Sequence, residues 1–163
     1  MPAADLLLHP SILGSRSFAW PDEAACAASA AAFAQRPAIA RAFIELHGPL
    51  GAGKTTFVRY LLRALGVNGR VKSPTFTVLE PYELPGLTIS HFDFYRFSDP
   101  REWLDAGLRD VFAAPGLKLA EWPEKVAGML PPADLRLFVE VQDGDARAVR
   151  AEASTALGLE LLR

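Results

Sequence analysis

Residues 48 to 55 read Gly48-Pro49-Leu50-Gly51-Ala52-Gly53-Lys54-Thr55, an ungapped G-x-x-x-x-G-K-[ST]. In this pattern the backbone wraps around a chain of phosphates. Its glycines let the main chain turn tightly and leave the N–H groups uncovered by side chains. Lys54 is then expected to reach the β- and γ-phosphates, and the Thr55 hydroxyl to hold Mg²⁺. Because Gly makes up about 7% of average usage, a chance match in a chain of 163 residues is roughly a one-in-a-hundred event or rarer. An apolar run, Ile39 to Leu46, precedes the motif and a helical pattern follows, and strand, loop, helix is the context the motif needs. The segment predicts a nucleoside triphosphate site in which Gly48, Leu50, Gly51, Ala52, Gly53, Lys54, Thr55 and Thr56 surround the ligand.

A length of 163 residues fits one domain, residues 1–163, able to bury a single ordinary core. Met1 to Gly14 lacks the basic start of a signal peptide, and the alanine-rich tract Ala24 to Ala34 is too short to span a membrane. The lone Cys26 excludes an internal disulfide, so the expected compartment is the cytoplasm. A formal charge of −2 gives no basic footprint for nucleic acid, and Arg59 and Arg63 read as a solvated helix face. Any action on RNA is therefore expected within an assembly.

Ser15 to Trp20 reads as a strand, and Pro21 opens an alanine-rich helix that continues from Asp22 to Gln35. Ala40 to His47 reads as the buried strand before the loop. Phe57, Val58, Leu61, Leu62 and Leu65 recur at helical spacing, with Gly66 as the stop. Thr75 to Leu79 and Leu87 to Tyr95 read as strands joined through the Pro85-Gly86 turn, followed by a short helix over Pro100 to Leu108. Leu117 to Trp122 is a further strand, with a helical turn near Glu124 to Met129. Leu135, Leu137, Val139 and Val141 alternate, and Asp143-Gly144-Asp145 turns the chain into Arg147 to Ala153. These elements predict an α/β three-layer sandwich on a mixed, largely parallel sheet with a C-terminal β-hairpin. The phosphate site should lie beyond the C-terminal ends of the parallel strands.

A triphosphate site also needs a second group on Mg²⁺, a γ-phosphate sensor and something to orient water. Asp93 closes the run from Leu87 and is the candidate second metal group, the alternative being an ordinary strand-end aspartate. Glu121 ends Leu117-Lys118-Leu119-Ala120 and either polarises a water or sits on the surface before Trp122-Pro123. Thr75, behind Ser73-Pro74, offers a hydroxyl to the metal or the γ-phosphate, or simply marks a loop-to-strand junction. His9, His47 and His91 show no metal-ligand spacing and read as core or edge residues.

Four blocks occur in a telling order: Gly51-Ala52-Gly53-Lys54-Thr55-Thr56, Val71-Lys72-Ser73-Pro74-Thr75-Phe76-Thr77, His91-Phe92-Asp93-Phe94-Tyr95-Arg96 and Glu121-Trp122-Pro123. Together they closely resemble the TsaE (YjeE-type) family, the ATPase of the bacterial tRNA threonylcarbamoyladenosine machinery. The resemblance spans about residues 40 to 130. It implies that Lys54 and Thr55 grip phosphate and Mg²⁺, that Thr75 belongs to a switch-like loop sensing the γ-phosphate, and that Asp93 is linked to Mg²⁺. It further implies that Glu121 activates water beside the metal and that Trp122 is its aromatic neighbour at the ligand. One departure stands out: Pro49 occupies a position where the family usually has Asp. Proline removes one N–H, but the phosphate-facing amides are expected from Gly51 to Thr55.

By that resemblance the expected activity is slow, Mg²⁺-dependent ATP hydrolysis supporting the partner proteins TsaD and TsaB, with tRNA met only in their complex. A small-molecule P-loop kinase and a non-hydrolysing nucleotide clamp are the alternatives. A GTPase is disfavoured because Asn68, the only asparagine, is followed by Gly69, so no N-K-x-D motif exists.

Overall fold

The computed structural model describes residues 11–74, 77–99, 101–105 and 107–163. Its strands are β1 (Gly14–Trp20), β2 (Phe43–His47), β3 (Leu79–Leu84), β4 (Leu87–Asp93), β5 (Leu117–Glu121), β6 (Leu135–Val141) and β7 (Arg147–Ala153). Its helices are α1 (Glu23–Ala34), α2 (Lys54–Leu65), α3 (Glu102–Asp105), α4 (Arg109–Ala113) and α5 (Ala156–Leu161). The strands share one sheet in the order β1-β7-β6-β2-β5-β4-β3. Strands β6, β2, β5 and β4 run parallel, while β7 and β3 pair antiparallel at either side. Every residue of β5 is buried, as a strand covered on both faces requires.

One face of the sheet carries α1 and α2. Phe57, Val58, Leu61 and Leu62 of α2 are completely buried in a cluster with Ile44, Leu46 and Leu119, each contributing about 1.5–3 kcal/mol by leaving water. The Asp22 carboxylate caps α1 by accepting from the Ala25 amide at 2.9 Å, and Trp20 stacks on Phe57 with ring centroids 5.5 Å apart. The opposite face is covered by α3, α4 and their loops, where Phe43, Phe92, Phe94, Trp103 and Ala120 pack together. This is the expected α/β sandwich on a mixed sheet, with the terminal hairpin formed by β6 and β7. Arg59 and Arg63 are exposed, as expected, and Arg63 donates to the Val67 carbonyl at 3.0 Å beside the Gly66 cap. Among the described residues no helix is long and apolar enough to cross a membrane.

Several boundaries differ from expectation for physical reasons. Pro37–Arg41 is a 3-10 turn rather than the start of β2, because Pro37 favours a first helical position. Its Ala38 and Ile39 are buried all the same, so the apolar run marked burial and not strand. The strand expected over 75–79 lies instead at Leu79–Leu84, where Pro81 is tolerated because β3 is an edge; Thr75 and Phe76 lie outside the described residues. Of the helix expected over 100–108 only α3 forms, and past Gly107, whose φ is 68°, the unanticipated α4 covers Arg109–Ala113. Pro21 precedes the α1 cap instead of opening the helix, and the turn near Glu124 is the 3-10 segment Pro123–Val126.

Helix α5 was not anticipated. The Thr155 side chain caps it by accepting from the Gly158 amide at 3.0 Å, and donates to Asp134 Oδ1 at 2.8 Å. Asp134 Oδ2 in turn accepts from the Phe43 amide at 2.7 Å, so one carboxylate fastens α5 to β2. A Cβ on Gly158 would fall 1.9 Å from the Asp134 carbonyl oxygen. Gly158→Ala, normally favourable in a helix, is therefore expected to destabilise the chain by about 3 kcal/mol. Chemical denaturation checks this, and an unchanged midpoint would show that α5 can shift freely.

Candidate nucleotide and metal site

Strand β2 ends at His47, and the next six residues loop round before α2 begins at Lys54. Gly48 passes so close to β6 that a Cβ there would lie 2.6 Å from the Val139 carbonyl oxygen. Gly53 caps α2 with φ 105°, in the left-handed region, and a Cβ on Gly51 or Gly53 would meet nothing within 4 Å. The glycines thus border open space at a helix start whose first amides have no intrahelical acceptor. No side chain caps α2. The Ala52 amide donates to the Pro49 carbonyl at 3.0 Å, so Pro49 supports the turn. That bond occupies the Ala52 amide, leaving Gly51, Gly53, Lys54 and Thr55 of the amides expected to face a ligand.

Four chain segments converge at this hollow. Lys54 is only 4% exposed; its ammonium donates to the Gly48 carbonyl at 2.5 Å and lies 3.6 Å from the centre of the Trp122 ring. The Thr55 hydroxyl donates to Glu121 Oε1 at 2.7 Å. The other oxygen, Oε2, is 2.7 Å from His91 Nε2 in a pair almost sealed from solvent. Parallel pairing sets Asp93 on β4 directly beside Glu121 on β5. Asp93 Oδ1 accepts from the Tyr95 amide at 2.9 Å, and the Tyr95 ring lies 4.9 Å from Trp122. Trp122 turns into the left-handed region, φ 57°, as the chain leaves β5, and Val78 does the same at φ 66°. The Val78 carbonyl accepts from the Asp93 amide at 2.8 Å, joining the segment after Thr75 to the same strand end.

Electrostatics follow from burial. Loss of water pushes the Lys54 ammonium below its ordinary pKa, opposed by Glu121, Glu124 and Asp93. Burial raises the Asp93 carboxyl, with the Glu121 charge adding to the rise; the Tyr95 amide, His91 and Lys54 act the other way. Both groups would gain from a ligand that brings opposite charge. Thr55, Asp93 and Glu121 offer hard oxygen donors, which suit Mg²⁺. The described residues hold no cluster of three or more His, Cys, Asp or Glu fit to cage a metal.

A recess of about 240 Å³ adjoins the loop, lined by Trp20, Asp22, Glu23, Cys26, Thr56 and Asp145 among others. Burial, and then the Glu23 charge, push the Cys26 thiol up to about 11. Only about a thousandth would be thiolate at pH 8. A disulfide reagent at that pH is expected to leave the folded chain unmodified and to react once denaturant is added; rapid native labelling, followed by absorbance, would contradict this.

The sequence-predicted residues Lys54, Thr55, Asp93, Glu121 and Trp122 thus share one crevice. Thr56 lines the recess, and Leu50 is 73% exposed, so only its backbone belongs to the loop. Thr75 lies outside the described residues. Two residues went unrecognised in the sequence: His91, taken as a core histidine, and Arg147, whose guanidinium donates to the Ala52 carbonyl at 2.8 Å. No local pattern marks Arg147. His91 opens the His91-Phe92-Asp93 block and lies two residues before Asp93 on the same strand face, and those are the signals it offered.

Comparison with known proteins places the chain in a family. The family described as "Threonylcarbamoyl adenosine biosynthesis protein TsaE" matches residues 20–149. The tRNA threonylcarbamoyladenosine biosynthesis protein TsaE of Haemophilus influenzae is 44% identical over 119 residues, covering 73% of this chain and 75% of the relative. The Bacillus subtilis protein of the same name is 37% identical over 106 residues, 65% of this chain and 66% of its own. The crystal structure of Bacillus subtilis YdiB superposes with a TM-score of 0.76 at 26% identity, covering 93% of this chain and 94% of that one. The chain belongs to the TsaE family.

Proposed function

We propose that this chain is a Mg²⁺-dependent ATPase serving threonylcarbamoyladenosine modification of tRNA, working with TsaD and TsaB. The observation that carries the reading is the 2.7 Å contact between Thr55, at the start of α2, and Glu121, at the end of β5. It puts a carboxylate at the mouth of a phosphate loop. The triphosphate would lie along the loop, with Lys54 offsetting charge on its outer phosphates. Bound magnesium would supply further charge neutralisation there, held by Thr55 and Asp93. Glu121, steadied by His91, accepts a proton as a water oxygen attacks the γ-phosphorus and the bond to the β-phosphate oxygen breaks, releasing ADP. Preference for adenine rests on the family resemblance and on the missing N-K-x-D motif of guanine readers.

Tyr95 is 45% exposed at the rim, so the crevice is open to solvent on that side and hydrolysis by the isolated chain is expected to be slow. The test is to mix the purified chain with TsaB and TsaD and measure both ATP hydrolysis and tRNA modification, each with and without Lys54→Ala. Rates indifferent to that substitution would defeat the proposal. Transfer of phosphate to a nucleoside instead of water would favour a kinase.

A further inference from the structure

We propose that Arg147, the first residue of β7, is a positioning residue that fixes the phosphate loop in its ligand-ready shape and couples it to the C-terminal hairpin. The inference rests on the reading that this loop takes a polyphosphate. Its guanidinium reaches across from the hairpin to the loop, donating through Nε to the Ala52 carbonyl at 2.8 Å and through Nη2 to the Gly51 carbonyl at 3.4 Å. Nη1 turns back to the Ala146 and Gly144 carbonyls at 2.9 and 3.3 Å. One planar fork therefore ties the hairpin turn to loop backbone as far as 96 positions from Arg147 in the chain.

The consequence lies in the peptide plane. All described peptides are trans, so the Ala52 carbonyl and the Gly53 N–H point in opposite directions. Holding the carbonyl against Arg147 aims the Gly53 amide away from the hairpin and stops that peptide from flipping. A glycine at φ 105° with open space around it has little else to hold it. Arg147 makes no close ion pair among the described residues, although Asp22, Glu23 and Asp145 line the same recess, so its part is to order the loop through its hydrogen bonds.

The experiment uses the full chain and its Arg147→Met and Arg147→Lys variants. Affinities for Mg²⁺–tripolyphosphate and Mg²⁺–ADP are measured by calorimetry, alongside KM and kcat for ATP and the melting temperature without ligand. Loss of the fork is expected to weaken both ligands about tenfold and raise KM likewise, with kcat at saturation within about twofold. Arg147→Lys should weaken them severalfold, because a single ammonium cannot bridge both segments; it decides the matter should the Met variant fail to fold. Unchanged affinities in the folded variants, whatever the melting temperature does, overturn the proposal, as does a loss confined to kcat. Failure of the unsubstituted chain to bind either ligand would instead overturn the nucleotide reading itself.

Discussion

Lys54→Met is expected to abolish productive nucleotide binding while leaving the fold standing. The lysine opens α2, is nearly buried, and has its ammonium between the Gly48 carbonyl and the Trp122 ring. Burial holds its pKa below the ordinary lysine value, so the charge sits where water would not have left it. A unit charge about 4 Å from a phosphate oxygen contributes roughly 4 kcal/mol in partly buried surroundings, or about a thousandfold in affinity. Calorimetry with Mg²⁺–ADP should therefore show binding weakened by about that factor. The sign of the effect on stability is the reverse of that on binding. A lysine whose folded pKa is depressed destabilises the fold below that value, and the penalty eases as pH rises through it. Removing the charge relieves this cost, and methionine keeps the apolar contact with Trp122. The ligand-free melting temperature should thus fall little, if at all. A variant that melts many degrees lower while still binding ADP would make Lys54 a structural strut rather than a phosphate ligand.

What could be read from the sequence was what a few neighbouring residues determine. The glycine loop, the amphipathic α2 with its Gly66 stop, and the Asp143-Gly144-Asp145 hairpin all depend on local geometry, and they stand where their patterns put them. Asp93 and Glu121 could be read as strand ends. Their adjacency could not, because it comes from parallel pairing of β4 with β5 across 28 residues. The same limit hid His91 and Arg147, whose partners lie 30 and 95 positions away. Strand β3 was misplaced because Pro81 argues against a strand unless the strand is known to be an edge, and edges are a property of the whole sheet. Helix α5 is six residues long with a glycine inside it, too short for periodicity to announce. Its cap depends on Thr155 and on Asp134, which lies 21 residues earlier.

The largest separation between binding and turnover should come from Glu121. Its two oxygens are divided between the Thr55 hydroxyl and His91 Nε2, each at 2.7 Å, so its orientation is fixed before any ligand arrives. Glu121→Gln preserves that pattern: the amide oxygen accepts from His91, and the amide nitrogen donates to the Thr55 oxygen. What it removes is the capacity to take a proton from water, a contribution of about 10²- to 10⁴-fold in general-base catalysis. ATP affinity is expected within a few-fold of the unsubstituted chain, with single-turnover hydrolysis slowed by about that factor. Glu121→Ala is a different experiment. His91 Nδ1 already has no partner among the described residues, so deleting the carboxylate would leave a buried imidazole with neither nitrogen bonded. That should cost about 1–3 kcal/mol of stability in addition to the lost chemistry. The pair of variants therefore separates the carboxylate's proton acceptance from its role in holding His91 and Thr55. If Glu121→Gln hydrolyses ATP at the unsubstituted rate, the base lies elsewhere. If hydrolysis is lost while tRNA modification with TsaB and TsaD continues undiminished, nucleotide occupancy alone is what the assembly uses.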